Sequence, residues 1–201
     1  CINNSNPSNL SKAKSYLKHF ESFEKNLVLL DSAKMFLDRC EKDESYPFYI
    51  QYYYLKQDYK KLIKHSESYS LDKLHNIFTD NILGITYFRI ADAYSQYNFN
   101  EKSYTNYLKS VELSPQNLDY QLKTSVLEIK LSKFENAKNR LKNIIILNPN
   151  YSKAHFNLGS IFMNVDKEYL KAKECFERSI ALNPDYKMAK KNLKYLNKFD
   201  E

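Results

Sequence analysis

Four histidines (His19, His65, His75, His155) and three cysteines (Cys1, Cys40, Cys175) are the side chains best suited to hold a metal or attack a substrate. Their spacings match no metal-ligand pattern, among themselves or together. Gly84 and Gly159 stand alone, so no glycine-rich loop exists to cradle a phosphate. No serine sits in a glycine-flanked elbow, and the acidic residues are scattered along polar faces. No catalytic residue, metal or cofactor is therefore expected. What remains is non-covalent binding, which depends on the elements that present the side chains.

Composition narrows those elements. Two glycines in 201 residues disfavour a β-rich protein, and no apolar run approaches the length of a membrane span. Lys, Leu, Asn, Ser and Tyr are the commonest residues, and with so little glycine the chain favours helices in one large or two small domains. A net charge of +7 raises nucleic acid as a partner. Yet only Arg39, Arg89, Arg140 and Arg178 are arginines, and the lysines alternate with glutamates. The longest basic stretch, Lys187 to Lys198, reads as the outer face of one helix, so nucleic acid is not the expected partner.

Helix boundaries are marked twice by the same words, "LNPNY" from Leu147 and "LNPDY" from Leu182. Asn148 and Asn183 are expected to end a helix in the left-handed conformation, and Pro149 and Pro184 to stop it. Asn150 and Asp185 are then expected to cap the next helix. Counting back from each proline gives a small residue, then a large one four later: Ala172 and Phe176, Ala137 and Leu141, Ser103 and Tyr107 before Pro115. The units are spaced 34 and then 35 residues. Small residues let helices approach closely, and the large neighbour fills the groove beside them.

The helix before each pair carries its own stripe. Tyr87, Ile90, Ala91 and Tyr94 form one helical face, as do His155, Leu158, Gly159 and Phe162. In the middle unit Leu122, Ser125, Val126 and Ile129 fit best, one residue late, before a shortened turn at Phe134. The turn "NVDKEY" of the last unit is one residue too long for the pattern. His155, standing where a large aromatic is usual, reads as a packed or half-buried residue. Taken together, residues 84–184 resemble the tetratricopeptide repeat (TPR), a helix–turn–helix of 34 residues with the pattern W-x2-L-G/A-x2-Y…A-x3-F…P.

Upstream the pattern weakens. Tyr46, Tyr49, Ile50 and Tyr53 repeat the first-helix stripe, with Ser45 as expected cap and Pro47 in the first turn. Leu62 and Ser66 hold the second-helix places, and residues 67–81 read as a longer connection with an extra turn of helix. Phe48, Tyr52 and Leu55 on the opposite face suggest a helix that is buried between neighbours or presents a partner site, burial being the expectation. Residues 10–41 read as two more amphipathic helices, one marked by Leu17, Phe20, Phe23, Leu27 and Leu30, the other by Ala33, Phe36, Leu37 and Cys40. Cys40 and Cys175 are read as small buried hydrophobes. After Pro184 an apolar stripe of Tyr186, Ala189, Leu193 and Leu196, backed by lysines, reads as a capping helix.

The resemblance implies an all-α, right-handed solenoid of helix–turn–helix repeats, divided as 1–10 tether, 11–81 divergent helical region, 82–184 three repeats and 185–201 capping helix. It also implies a non-enzymatic scaffold whose first helices line a concave face for a peptide or protein. The inward positions would be Ile85, Phe88, Arg89, Asp92 and Gln96; then Tyr120, Lys123, Leu127 and Lys130; then Lys153, Phe156, Asn157, Ser160 and Met163. Lys153 and Asn157 partly match the clamp with which some such proteins hold a C-terminal carboxylate. Phe88 and Asp92 depart from it, and Asp92 would repel the ligand.

The first residue, Cys1, followed by an Asn/Ser/Pro stretch, resembles a mature bacterial lipoprotein that starts at its lipidated cysteine. That resemblance implies a cell-envelope location, with the lipid as the sole membrane attachment. Envelope lipoproteins with these repeats include accessory subunits of outer-membrane protein assembly. Rival readings are a basic intracellular adaptor for nucleic acid, an enzyme with a cryptic site, and a surface lipoprotein that binds a host protein.

Overall fold

The computed structural model describes residues 7–22 and 26–198. All regular elements among them are helical. One compact unit, ending at Ser114, holds three helix pairs: α1 (Pro7–Ser22) with α2 (Leu27–Leu37), α3 (Lys42–Leu55) with α4 (Tyr59–Glu67), and α5 (Asp80–Gln96) with α6 (Asn100–Leu113). A second unit, from Pro115, holds α7 (Leu118–Lys130) with α8 (Phe134–Leu147), α9 (Ser152–Ile161) with α10 (Tyr169–Leu182), and α11 (Lys187–Asn197).

The turn inside three of the pairs is built the same way. Gln57, Asn98 and Ser132 adopt φ near +58 to +59, the left-handed region that stops a helix. The next residue then donates its N–H five residues back: Asp58 to Tyr53, Phe99 to Tyr94, Lys133 to Glu128, at 2.9, 3.0 and 2.8 Å. Glycine, the usual occupant, is absent from all three. The last pair carries its extra residue by widening the end of α9 into a π-turn over Phe162–Asp166. Lys167 takes the left-handed place, and Glu168 reaches back six residues to Phe162.

The second-helix register stands as expected. Ser103, Ala137 and Ala172 are fully buried, and Tyr107, Leu141 and Phe176 are buried beside them. Ser103 meets its polar obligation by donating to the Ala91 carbonyl at 2.9 Å. The "LNP" corners differ from expectation. Asn148 and Asn183 are extended, and their side chains accept from Asn150 N–H and Asp185 N–H at 3.0 and 3.3 Å. The motif works as an Asx-turn, because a side-chain carbonyl two residues upstream replaces the backbone acceptor. Tyr151 and Tyr186, not Asn150 and Asp185, occupy the cap positions of α9 and α11.

In the middle pair the first helix sits one residue earlier than its apolar pattern suggests. Ile90, Thr124 and Leu158 are equivalent at 34-residue intervals, as are Ala91, Ser125 and Gly159, and all of them are buried. The matching places in α7 thus fall to Gln121, Thr124, Ser125 and Glu128, while Val126 is 47% exposed. These polar groups are satisfied internally. Gln121 donates to the Pro115 carbonyl and accepts from Asn143, and Glu128 takes both Nε and Nη2 of Arg140 at 3.0 and 2.9 Å.

In the first unit α3 is apolar on both sides because it separates two clusters. Tyr46 and Ile50 join Leu62, Leu74, Leu83, Tyr87, Ile90 and Tyr94 on one side. Phe48 and Tyr52 join Ala13, Leu17, Phe20, Leu30, Ala33 and Leu37 on the other. α3 starts at Lys42, a turn before the expected cap, and Ser45 instead returns its hydroxyl to the Glu41 carbonyl at 2.8 Å. Asp43 and Glu44 in that first turn suit the positive end of the helix dipole. The long connection contains a 3₁₀ turn, Leu71–Leu74. α1 ends at Ser22, so Leu27 and Leu30 belong to α2, and α1 is already helical at Pro7. Phe23 lies outside the described residues.

Candidate peptide-binding face

The three first helices expected to present a partner surface are α5, α7 and α9. On α5 most of the expected positions serve the unit itself. Arg89 is 7% exposed; its guanidinium lies 2.7 Å from a Glu21 carboxylate oxygen and over the Tyr54 ring at 5.7 Å. Asp92 is 8% exposed and accepts from the hydroxyls of Tyr54, at 2.8 Å, and Tyr107. Burial first, then the Asp92 charge, holds both phenols above their ordinary ionisation range. Phe88 is half-buried with its ring 5.6 Å from that of Tyr107, while Gln96 is exposed. Arg89 and Asp92 are therefore corrected from groove residues to members of an internal network, closed by side chains from α1 and α3.

On α7 the one-residue slip redistributes the expected set. Tyr120 and Leu127 are buried, because the true register turns them inward with Ala154 and Ile161 of α9. Lys123 and Lys130 are exposed, as expected of a presented face, and Val126 takes the open place between them. Sequence reasoning missed Val126. Its signal was the 34-residue step back from Ser160, hidden by the polar side chains at the packing positions.

On α9 Lys153 is exposed and Asn157 and Ser160 are half-buried. The Ser160 hydroxyl donates to the Phe156 carbonyl at 3.0 Å. Phe156 is not an open anchor, since its ring packs 4.7 Å from Tyr186 and 5.8 Å from Phe176. Met163 packs on the Ala172, Phe176 and Leu196 cluster. His155 is half-buried, and its Nε2 lies 2.9 Å from the Pro149 carbonyl oxygen.

α7 and α9 pack as neighbours within the second unit, and Tyr151 ties them by donating to Asp119 at 2.5 Å. Their remaining presented side chains are Lys123, Val126 and Lys130 beside Lys153, Asn157 and Ser160. These positions set three lysines around an aliphatic side chain, with the exposed Asp119 carboxylate at the start of α7. The net charge of the set is positive, suited to a segment bearing carboxylates around a small apolar side chain.

Reactive chemistry is sparse among the described residues. No three of their His, Cys, Asp and Glu side chains converge as a metal site. Cys40 and Cys175 are free, half-buried thiols. Burial pushes Cys175 up to about 11 and raises Cys40 as well, so neither forms a ready thiolate. No described helix is long and apolar enough to cross a membrane. Cys1, the expected lipid attachment, lies outside the described residues.

No family model matches the chain, and no curated protein matches it. Solved structures do. YrrB, a TPR protein described as having an unusual peptide-binding site, aligns over 90% of this chain and 99% of its own at 16% identity, with a TM-score of 0.68. MamA from Desulfovibrio magneticus RS-1 aligns over 80% of this chain and 86% of its own at 14% identity, TM-score 0.65. The first TPR of Spaghetti (RPAP3), bound to the HSP90 peptide SRMEEVD, covers 61% of this chain and 96% of its own at 21% identity, TM-score 0.56. At these identities the likeness shows the fold, and the fold is that of tetratricopeptide repeats.

Proposed function

We propose that this chain is a non-enzymatic scaffold of the bacterial cell envelope. It binds a peptide or protein partner on the face of α7 and α9. An accessory role in an outer-membrane assembly complex fits that architecture. The observation that carries the binding reading is the juxtaposition of Lys123, Val126 and Lys130 with Lys153 and Asn157 on adjacent first helices. An acidic, extended peptide with one aliphatic residue complements it, and the peptide held by the RPAP3 domain is likewise acidic.

The experiment is a titration of a fluorescent SRMEEVD peptide against the chain. Binding should weaken at least tenfold on Lys123→Glu combined with Lys153→Glu, a loss of about 1.4 kcal/mol. Undiminished binding by that variant, or no binding by the parent chain, refutes the face. Fractionation of cells tests the envelope placement separately: recovery of the native protein away from membrane and periplasmic fractions removes it.

A further inference from the structure

A second surface in the same unit lies between α10 and α11. It is an open groove of about 420 Å³, lined by Ile180, Lys190, Leu193, Lys194, Asn197 and Lys198. Ile180 and Leu193 are half-buried and form an aliphatic floor, while Lys190, Lys194 and Lys198 are exposed along one edge. These lysines recur every four residues, so they line about 12 Å of helix. No acidic residue occurs between Lys187 and Lys198, and none lines the groove. α11 covers the last pair with Ala189 and Leu196 and leaves this basic edge outward.

We propose that the α10–α11 groove docks an acidic helical segment of a partner protein. Its carboxylates would meet Lys190, Lys194 and Lys198 while one or two aliphatic side chains enter above Ile180 and Leu193. Charge complementarity selects the occupant. A second copy of this face would repel it, since the face is itself cationic and the chain carries +7. A nucleic acid backbone makes no use of an aliphatic floor, and α11 has no arginine for bidentate phosphate recognition. The proposal is independent of the α7 and α9 face.

The test is a nuclear magnetic resonance titration of the labelled chain with a helical peptide of glutamate and leucine. Parallel titrations use a glutamate-only peptide, a short single-stranded DNA, and vesicles of phosphatidylglycerol. Amide shifts should centre on Ile180, Leu193 and Asn197, with the glutamate–leucine peptide bound at least tenfold more tightly than the glutamate-only one. Lys190→Glu with Lys194→Glu should abolish these shifts. Lys187→Glu with Lys191→Glu changes the charge equally but lies off the groove, and should preserve them. Equal binding of glutamate-only peptide or DNA, equal loss in both variants, binding to vesicles alone, or shifts confined to α7 and α9 each overturn the proposal.

Discussion

Glu128 of α7 and Arg140 of α8 meet side by side, two nitrogens on two oxygens at 3.0 and 2.9 Å, with the carboxylate wholly buried. In the other pairs the equivalent of Glu128 is aromatic: Tyr94 in α5 and Phe162 after α9. The middle pair thus closes its helix contact with a charge pair. Arg140→Ala should take two charge-assisted hydrogen bonds from a buried carboxylate and cost about 3–5 kcal/mol, read from the urea midpoint. The double change Glu128→Leu with Arg140→Met should restore most of it. Stability unaffected by Arg140→Ala would mean the pair is not closed in solution.

Gly159 of α9 leaves no room for a side chain against α10. A β-carbon there would sit 2.9 Å from both Cys175 Cβ and Phe176 Cε1. Gly159→Ala should therefore push the helices apart and cost about 1–3 kcal/mol, as should Ala172→Phe on the facing helix. Thermal melting checks both, and a neutral result at either site contradicts this packing.

The left-handed turn residues offer the opposite sign. Ser132 and Lys167 each hold φ of 59°, a conformation that costs an L-residue about 1–2 kcal/mol and glycine little. Glycine gives part of that back through its larger unfolded-state entropy. Ser132→Gly and Lys167→Gly should each raise the melting temperature, the net gain being about 0.5–1 kcal/mol.

His65 sets a pH dependence. Its ring lies among Tyr46, Tyr49 and Tyr53 at 4.9, 5.3 and 5.9 Å, and its Nε2 is buried without a hydrogen-bond partner. Burial, with the Lys42 charge as a lesser cause, lowers its pKa below the ordinary histidine value. The unfolded chain then binds a proton that the folded chain resists. This contribution is fully present above about pH 6.5 and is lost as pH falls toward the depressed folded value. His65→Phe should flatten that part of the stability profile, measured by urea denaturation across the window. An unchanged slope would assign the dependence elsewhere.

Legibility in the sequence followed the chemistry at each position. Ser103, Ala137 and Ala172 could be read because small residues at a fixed distance from proline have few other uses. α7 was misread because Gln121, Thr124 and Glu128 are polar yet buried, and an apolar-pattern search slides to Leu122 and Val126 instead. Arg89 and Asp92 looked like presented charges because their partners are remote in the chain: Glu21 is 68 residues away and Tyr54 is 38 from Asp92. Lys123, Lys130 and Lys153 were recoverable because long cations at unpacked helical positions stay in solvent. The fate of Phe156 depended on Tyr186, beyond its own repeat.

The widened turn at Phe162–Asp166 gives the array a form of slack. An additional amino acid has been taken up within a single helical corner, so Ala172 and Phe176 still land where their counterparts do. Unit length along the polypeptide is thereby uncoupled from the distance between packed layers. The packing of α10 and α11 is in this way kept apart from the length of the segment that leads into them.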